Sequence, residues 1–357
     1  MNRISDILCN TLKMAILNVD IQPDIYASLS HKEWQDLFTL SARQGVLAIV
    51  YDIVSQLPRE LQPPRELNIR WAVCTEKIEE RYKTQFEDAA KLAELWRQEG
   101  IRTLVLKGFS LSQYYPIPEH RECGDFDCYL FDKYEYGNVV AERVGAKVNR
   151  EWYKHSQIFF HRTMAENHLY FVTTRKGTNA KMLNQELTSL IGDNLQTLHD
   201  TSIEIPSAEF TALFITYHSF THFISEGITL RHICDWVCFM KAQEDNIDWD
   251  KFYKLCKKYK FDRFVDATNT IAYRYLGFEI HNSNITHESP YAERVMQDIL
   301  WGDAKIYNKG KGKWYNRFKL ISNIYAYSWK YRDIAQSSSL CYLCDLVVGF
   351  ITRRENH

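Results

Sequence analysis

At Gly100 the hydrophobic period of this chain changes, and that change constrains the fold more than any other feature. From Glu76 to Glu99, Ile78, Tyr82, Phe86, Ala89, Ala93 and Trp96 recur at spacings of three or four. That is one face of a long amphipathic helix, and Gly100 stands where a helix end favours glycine. Downstream, Ile101–Leu106 is a short, β-rich apolar run, which predicts a buried strand. Lys107-Gly108 ends it, Phe109–Tyr115 makes a helical turn, and Pro116 and Pro118 stop the turn. Phe126–Phe131 predicts a second strand, entered through Cys123-Gly124, and Lys133–Val144 a helix ending at Gly145. Ser156–His161 and Glu166–Thr173 predict a hairpin around Arg162–Ala165.

The flanks are helical. Ser30-His31-Lys32-Glu33 is a capping-box pattern, and Pro58, Pro63 and Pro64 mark a loop before the long helix. After Pro206, Phe210, Leu213, Phe214, Tyr217, Phe220 and Ile224 form a helical stripe. Ile233, Val237 and Met240 form another, and Trp249–Tyr259 and Arg263–Leu276 two more. The fold class is therefore α+β, a small mixed β-sheet core flanked by helices. The expected division is an N-terminal helical region over 1–99, an α/β core over 100–205 and a C-terminal helical domain over 206–357.

Composition narrows the functional classes. Lys plus Arg number 44 against 45 Asp plus Glu, which argues against a protein that coats nucleic acid by bulk charge. The 14 glycines and 8 prolines in 357 residues are too few for long disordered linkers. No run reaches the ~18–20 apolar residues of a membrane span; the best, Cys341–Thr352, is short and holds Asp345. Met1–Asn10 does not read as a signal sequence. With nine cysteines, an odd number, the expectation is a reducing cytoplasm and no membrane. Cys341–Cys344 is a lone C-x-x-C, either a metal or redox pair or one buried helix face.

Leu106–Phe131 carries the chemistry. On a strand, residues two apart point the same way, so Asp125 and Asp127 face one space while Phe126 faces the core. Two carboxylates this close repel unless a cation lies between them. Such hard oxygen ligands suit Mg²⁺ (or Mn²⁺) shared with substrate phosphates, and a glycine turn at Gly108 lets phosphate approach the backbone.

Leu106-Lys107-Gly108, Tyr115-Pro116, Arg121 and Asp125-Phe126-Asp127 together resemble the LKG…YP…R…D-x-D run of the uncharacterised bacterial nucleotidyltransferase family. That family is a branch of the polymerase-β-like nucleotidyltransferase superfamily. The pattern continues in His155, in Glu166-Asn167-His168, in His218 and His222, and in Leu230, Arg231 and Asp235, over roughly Ile101–Leu276.

The resemblance implies Mg²⁺-dependent transfer of a nucleoside monophosphate from an NTP to a hydroxyl acceptor, which is a small molecule, a protein or RNA. Carried over, Asp125 and Asp127 hold the metal, and Glu166 is the third carboxylate, shared between metal and acceptor activation. Lys107, Gly108, Ser110, Arg121, His168 and Arg231 are the nucleotide-binding set. Phe109 departs from the superfamily's usual Gly or Ser after the glycine, and Lys107 then supplies the phosphate contact as a point charge. The same departure suits the rival reading, a non-catalytic binding or regulatory module on this fold.

Other signals stay two-sided. His218 and His222 have the spacing of a zinc pair, or pack against the sheet. Arg231 and Asp235 are i, i+4 partners, unless Arg231 reaches a phosphate. Arg121 holds a triphosphate or neutralises the acidic cluster. Lys309, Lys311, Lys313, Arg317 and Lys319, among Trp314, Tyr315 and Phe318, bind nucleic acid or form a solvated helix entrance. Finally, so small a sheet needs a wall to enclose substrates. Phe210–Ile224 and Thr229–Met240 are expected to form it, bringing His218, His222 or Arg231 over Lys107, Gly108, Asp125, Asp127 and Glu166.

Overall fold

The computed structural model describes residues 2–173, 177–193, 195–282, 285–302 and 326–337. The basic aromatic segment around Lys309–Lys319 and the Cys341–Cys344 pair lie outside the described residues.

Three helices open the chain: α1 (Arg3–Leu17), α2 (His31–Arg43) and α3 (Leu47–Val54). Ser30 caps α2 as its sequence requires, its hydroxyl accepting from Glu33 N while the Glu33 carboxylate accepts from Ser30 N. The amphipathic stretch is the second half of α4 (Arg65–Gln98), which begins straight after Pro64 and ends as Gly100 turns to φ 72°.

The core then alternates β1 (Thr103–Val105), the short helix α5 (Phe109–Ser112), β2 (Phe126–Tyr129), α6 (Tyr134–Arg143), β3 (Lys147–Asn149), β4 (His155–Phe160) and β5 (Thr163–His168). The hairpin turn is tighter than its sequence suggests. His161 takes a positive φ of 50°, so β5 begins at Thr163 and ends at His168, before Tyr170. Past the core motif the chain adds α7 (Thr178–Leu190) and two short strands, β6 (Gln196–Thr197) and β7 (Ile203–Ile205). These three elements have no counterpart in the sequence reading. The strands are too short to show a period, and α7 is stabilised mainly by packing Leu183, Leu187 and Leu190 into the core.

The seven strands form one mixed sheet in the order β3-β4-β5-β2-β1-β7-β6. β2 is antiparallel to β1 and parallel to β5, and β1 is parallel to β7. One face packs α4 and α6 through Phe126, Cys128, Ala165, Ile158, Leu92 and Trp96. Burying an aromatic such as Phe126 or Trp96 contributes ~1.5–3 kcal/mol.

Five further helices follow: α8 (Ala208–Ser225), α9 (Leu230–Gln243), α10 (Trp249–Lys258), α11 (Asp262–Leu276) and α12 (Ala292–Trp301). They share one apolar core with α1, α2 and α3, so the helices before and after the sheet pack as one body. Buried Gln44 ties them together: its Oε1 accepts from Leu230 N and its Nε2 donates to Ile299 O. Leu104 and Leu106 join this helical core while Val105 faces α4, the two-sided burial expected of a central strand. Among the described residues no helix is long and apolar enough to cross a membrane.

Candidate active site

Strand register builds the acidic centre. Asp127 on β2 stands directly opposite Glu166 on parallel β5, and cross-strand partners share a face. Asp125 lies two residues earlier on the same side. One donor oxygen from each of Asp125, Asp127 and Glu166 lies within 4.8 Å of the others. Asp127 is sealed at 1% side-chain exposure, whereas Glu166 and Asp125 reach 15% and 28%, so the group opens outward.

Carboxylates at this range repel unless cations intervene. Lys107 Nζ sits against Asp127 Oδ2 and lies 3.3 Å from Asp125 Oδ1. His168 Nε2 is 3.0 Å from Asp127 Oδ1 and 3.7 Å from Glu166 Oε2, and His155 Nε2 is 3.3 Å from Glu166 Oε1. Burial opposes the charge on Asp127, but Lys107 and His168 outweigh it and hold the carboxyl well below its usual range. Asp125 shifts the other way, raised by burial and by the Asp127 charge. Glu166 is lowered, its burial outweighed chiefly by the contact with His168. Burial also works against the Lys107 ammonium, yet Asp127 and Asp125 keep it above an ordinary lysine. A set of three mutually close oxygen donors fits the coordination habit of Mg²⁺ or Mn²⁺.

A cleft of about 750 Å³, counting the space at its open mouth, lies beside this group with Lys107, Gly108 and Asp125 on its floor; Asp127 and Glu166, expected there too, are not part of its lining. α8 contributes Phe214 and His218 to its wall, and α9 contributes Arg231, His232 and Trp236. The two helices thus stand on the Asp125 side of the sheet, while His222 is not part of the lining. Gly108 has φ 73° and ψ −106°, a conformation that a Cβ disfavours. Phe109 turns away from the cleft and packs edge-on to Tyr82 and Phe86.

The cationic candidates separate. Arg121 lines the cleft but neither faces nor neutralises the acidic group. Its Nε and Nη2 donate to Asp235 Oδ1 and Oδ2 at 2.7 and 2.8 Å. Asp235 also accepts from Tyr115 Oη at 2.7 Å, and so does not pair with Arg231 as its i, i+4 spacing suggests. A buried bidentate guanidinium match outcompetes a same-helix contact. Arg231 instead donates Nη1 to Glu122 O at 2.8 Å, which leaves it on the cleft wall. Ser110 is buried, its Oγ has no hydrogen-bond partner, and it lies outside the cleft lining. His168 is buried beneath Asp127. His218 and His222 join no group of three metal-ligating donors among the described residues. Burial, then Lys107 and His222, hold His218 well below the usual histidine value.

Sequence reasoning passed over Lys154, whose ammonium is lowered by burial and which lines a smaller pocket with His218. It also passed over the contact of His155 with Glu166. The available signal was alternation, since His155 and Gln157 share a face on β4 as Glu166 and His168 do on β5.

A family model described as uncharacterised nucleotidyltransferase matches residues 30–277. The chain belongs to that uncharacterised nucleotidyltransferase family. The family is part of the polymerase-β-like nucleotidyltransferase superfamily. Its match runs from the cap of α2 to the end of α11, so for this nucleotidyltransferase family helices α2, α3 and α4 belong to the shared unit along with the sheet. No curated protein and no solved structure is significantly similar to the chain.

Proposed function

We propose that this chain is a Mg²⁺-dependent nucleotidyltransferase that moves a nucleoside monophosphate from an NTP to a hydroxyl acceptor. The observation that carries the reading is the in-register Asp127–Glu166 pair, completed by Asp125, at the edge of a cleft floored by Lys107 and Gly108. In it Asp125, Asp127 and Glu166 hold the metal, whose chemistry is to neutralise triphosphate charge and lower the pKa of the attacking hydroxyl. Asp127, sealed and held ionised by Lys107 and His168, fixes the geometry of the group. Glu166, partly exposed, orients the acceptor hydroxyl and takes its proton at Oε. Lys107 and Arg231 approach the phosphates from floor and wall, a point charge and a guanidinium fork. Arg121, engaged by Asp235, positions the loop that delivers Asp125 and does not touch phosphate. Phe109 is buried and turned away from the cleft, which leaves the glycine turn clear for a phosphate.

Calorimetric titration with Mg²⁺ and each NTP tests this. At least one NTP should bind the wild type only with Mg²⁺ present, and Asp127→Ala should abolish that binding. If no NTP binds, or if binding survives Asp127→Ala unchanged, the reading is wrong.

A further inference from the structure

Beside the three carboxylates lies a second donor group of different chemistry. His155, Glu166 and His168 each offer one ligand atom within 4.8 Å of the others. Strand register explains why, because His155 on β4 pairs with His168 on β5, and Glu166 lies two residues before His168 on the same face. Glu166 spans the two rings, with Oε1 toward His155 and Oε2 toward His168.

The hydrogen bonding of His168 is the decisive detail. Its Nδ1 lies 3.3 Å from the carbonyl oxygen of Tyr170, which can only accept. That contact orients the ring, so that Nε2 faces the site. Nε2 points at carboxylate oxygens of Asp127 and Glu166 inside a side chain only 1% exposed. Two carboxylates and an imidazole nitrogen converging at that point offer a cation several donors at once. A ring N–H given to a backbone carbonyl is also the usual way a metal-ligating histidine is oriented. Across from it, both nitrogens of His155 are shielded from solvent and neither makes a hydrogen bond.

We propose that His155, Glu166 and His168 form a second cation site, selective for a borderline transition-metal ion such as Zn²⁺ over Mg²⁺. Two imidazoles and a carboxylate favour such an ion, whereas Mg²⁺ prefers all-oxygen surroundings. The site shares Glu166 with the proposed Mg²⁺ group but needs neither Asp125 nor an NTP, so it stands or falls apart from the catalytic reading.

The test is equilibrium dialysis of the full chain against Zn²⁺ in millimolar Mg²⁺, with bound metal counted by elemental analysis and folding checked by circular dichroism. One Zn²⁺ per wild-type chain is expected. His155→Gln, at a half-buried position, should weaken Zn²⁺ by more than ~100-fold, beyond the loss typical of outer-shell changes. Asp125→Asn should leave the stoichiometry unchanged while removing Mg²⁺-dependent NTP binding. Pulsed EPR of Cu²⁺ bound in millimolar Mg²⁺ gives a second readout: imidazole nitrogen modulation in the wild type, reduced in His155→Gln. No bound Zn²⁺ in the folded wild type would overturn the proposal. So would Zn²⁺ that survives His155→Gln at full affinity, or Zn²⁺ lost on His218→Gln or His222→Gln in its place.

Discussion

Asp127 and Glu166 occupy opposed positions on two adjacent parallel strands, so the register of β2 on β5 alone sets the spacing of their carboxylates. A slip of one residue would turn every side chain of β5 to the other face and send Glu166 into the α4–α6 core. The separation is therefore a property of the sheet and not of a flexible loop, which lets a single substitution be read cleanly.

Glu166→Gln keeps the size and the β5 position but removes the charge. Pyrophosphate release from the NTP that binds should fall by ~10²–10⁴-fold, the usual share of a general base. Mg²⁺–NTP affinity should fall much less. Equal loss in turnover and in binding would assign Glu166 to metal holding alone.

Lys107 carries the compensating charge against Asp127 and Asp125. Lys107→Met leaves the sealed Asp127 with only His168 as partner and should destabilise the metal-free protein by ~3 kcal/mol, the range for breaking a buried pair. Millimolar Mg²⁺ should then raise the melting temperature of Lys107→Met more than that of the wild type, because ligand binding to the native state adds stability by mass action. Identical Mg²⁺ responses in both proteins would contradict a cation site among these carboxylates.

Asp235→Ala removes the partner of a fully engaged guanidinium. Arg121 and Asp235 have side-chain exposures of 6% and 9%, so urea unfolding should show a loss of ~3–5 kcal/mol. Tyr115→Phe, which removes one hydrogen bond to the same carboxylate, should cost less, ~1.5–3 kcal/mol. Reversed magnitudes would mean that Tyr115 and not Arg121 anchors α9 to the loop before β2.

Acid should weaken the wall of the cleft through His232. Its Nδ1 accepts from Thr229 N at 3.2 Å at the start of α9, a role open only to an unprotonated nitrogen. Burial, aided by neighbouring Arg231 and opposed by Asp235, pushes its pKa down to about 3. The unfolded chain therefore binds the extra proton between pH ~6.5 and about 3, and stability rises with pH across that window. One such group contributes a slope of at most ~1.4 kcal/mol per pH unit. His232→Gln, which keeps an acceptor for the cap, should flatten the stability profile in this window relative to wild type. An unchanged slope would remove His232 as a cause.

Much of this was legible in local pattern. The capping box at Ser30, the helix ending before Gly100, and the strands at Thr103–Val105 and Phe126–Tyr129 follow from spacings that neighbouring residues impose on each other. The same alternation put Asp125 and Asp127 on one side. The edge strand β6, its neighbour β7 and helix α7 were not legible, since packing against distant elements holds them in place.

Side-chain pairing followed the same division. The sequence alone determined which residue types were available: three carboxylates, a lysine beside a glycine, two arginines and a set of histidines. Tertiary structure decided which met. Arg121 and not Arg231 took Asp235, because a buried carboxylate binds whichever guanidinium reaches it with both nitrogens, wherever that guanidinium lies along the chain. His155 and His168 closed on Glu166 because a hairpin turn at His161 set their register, and register is a property of two strands together.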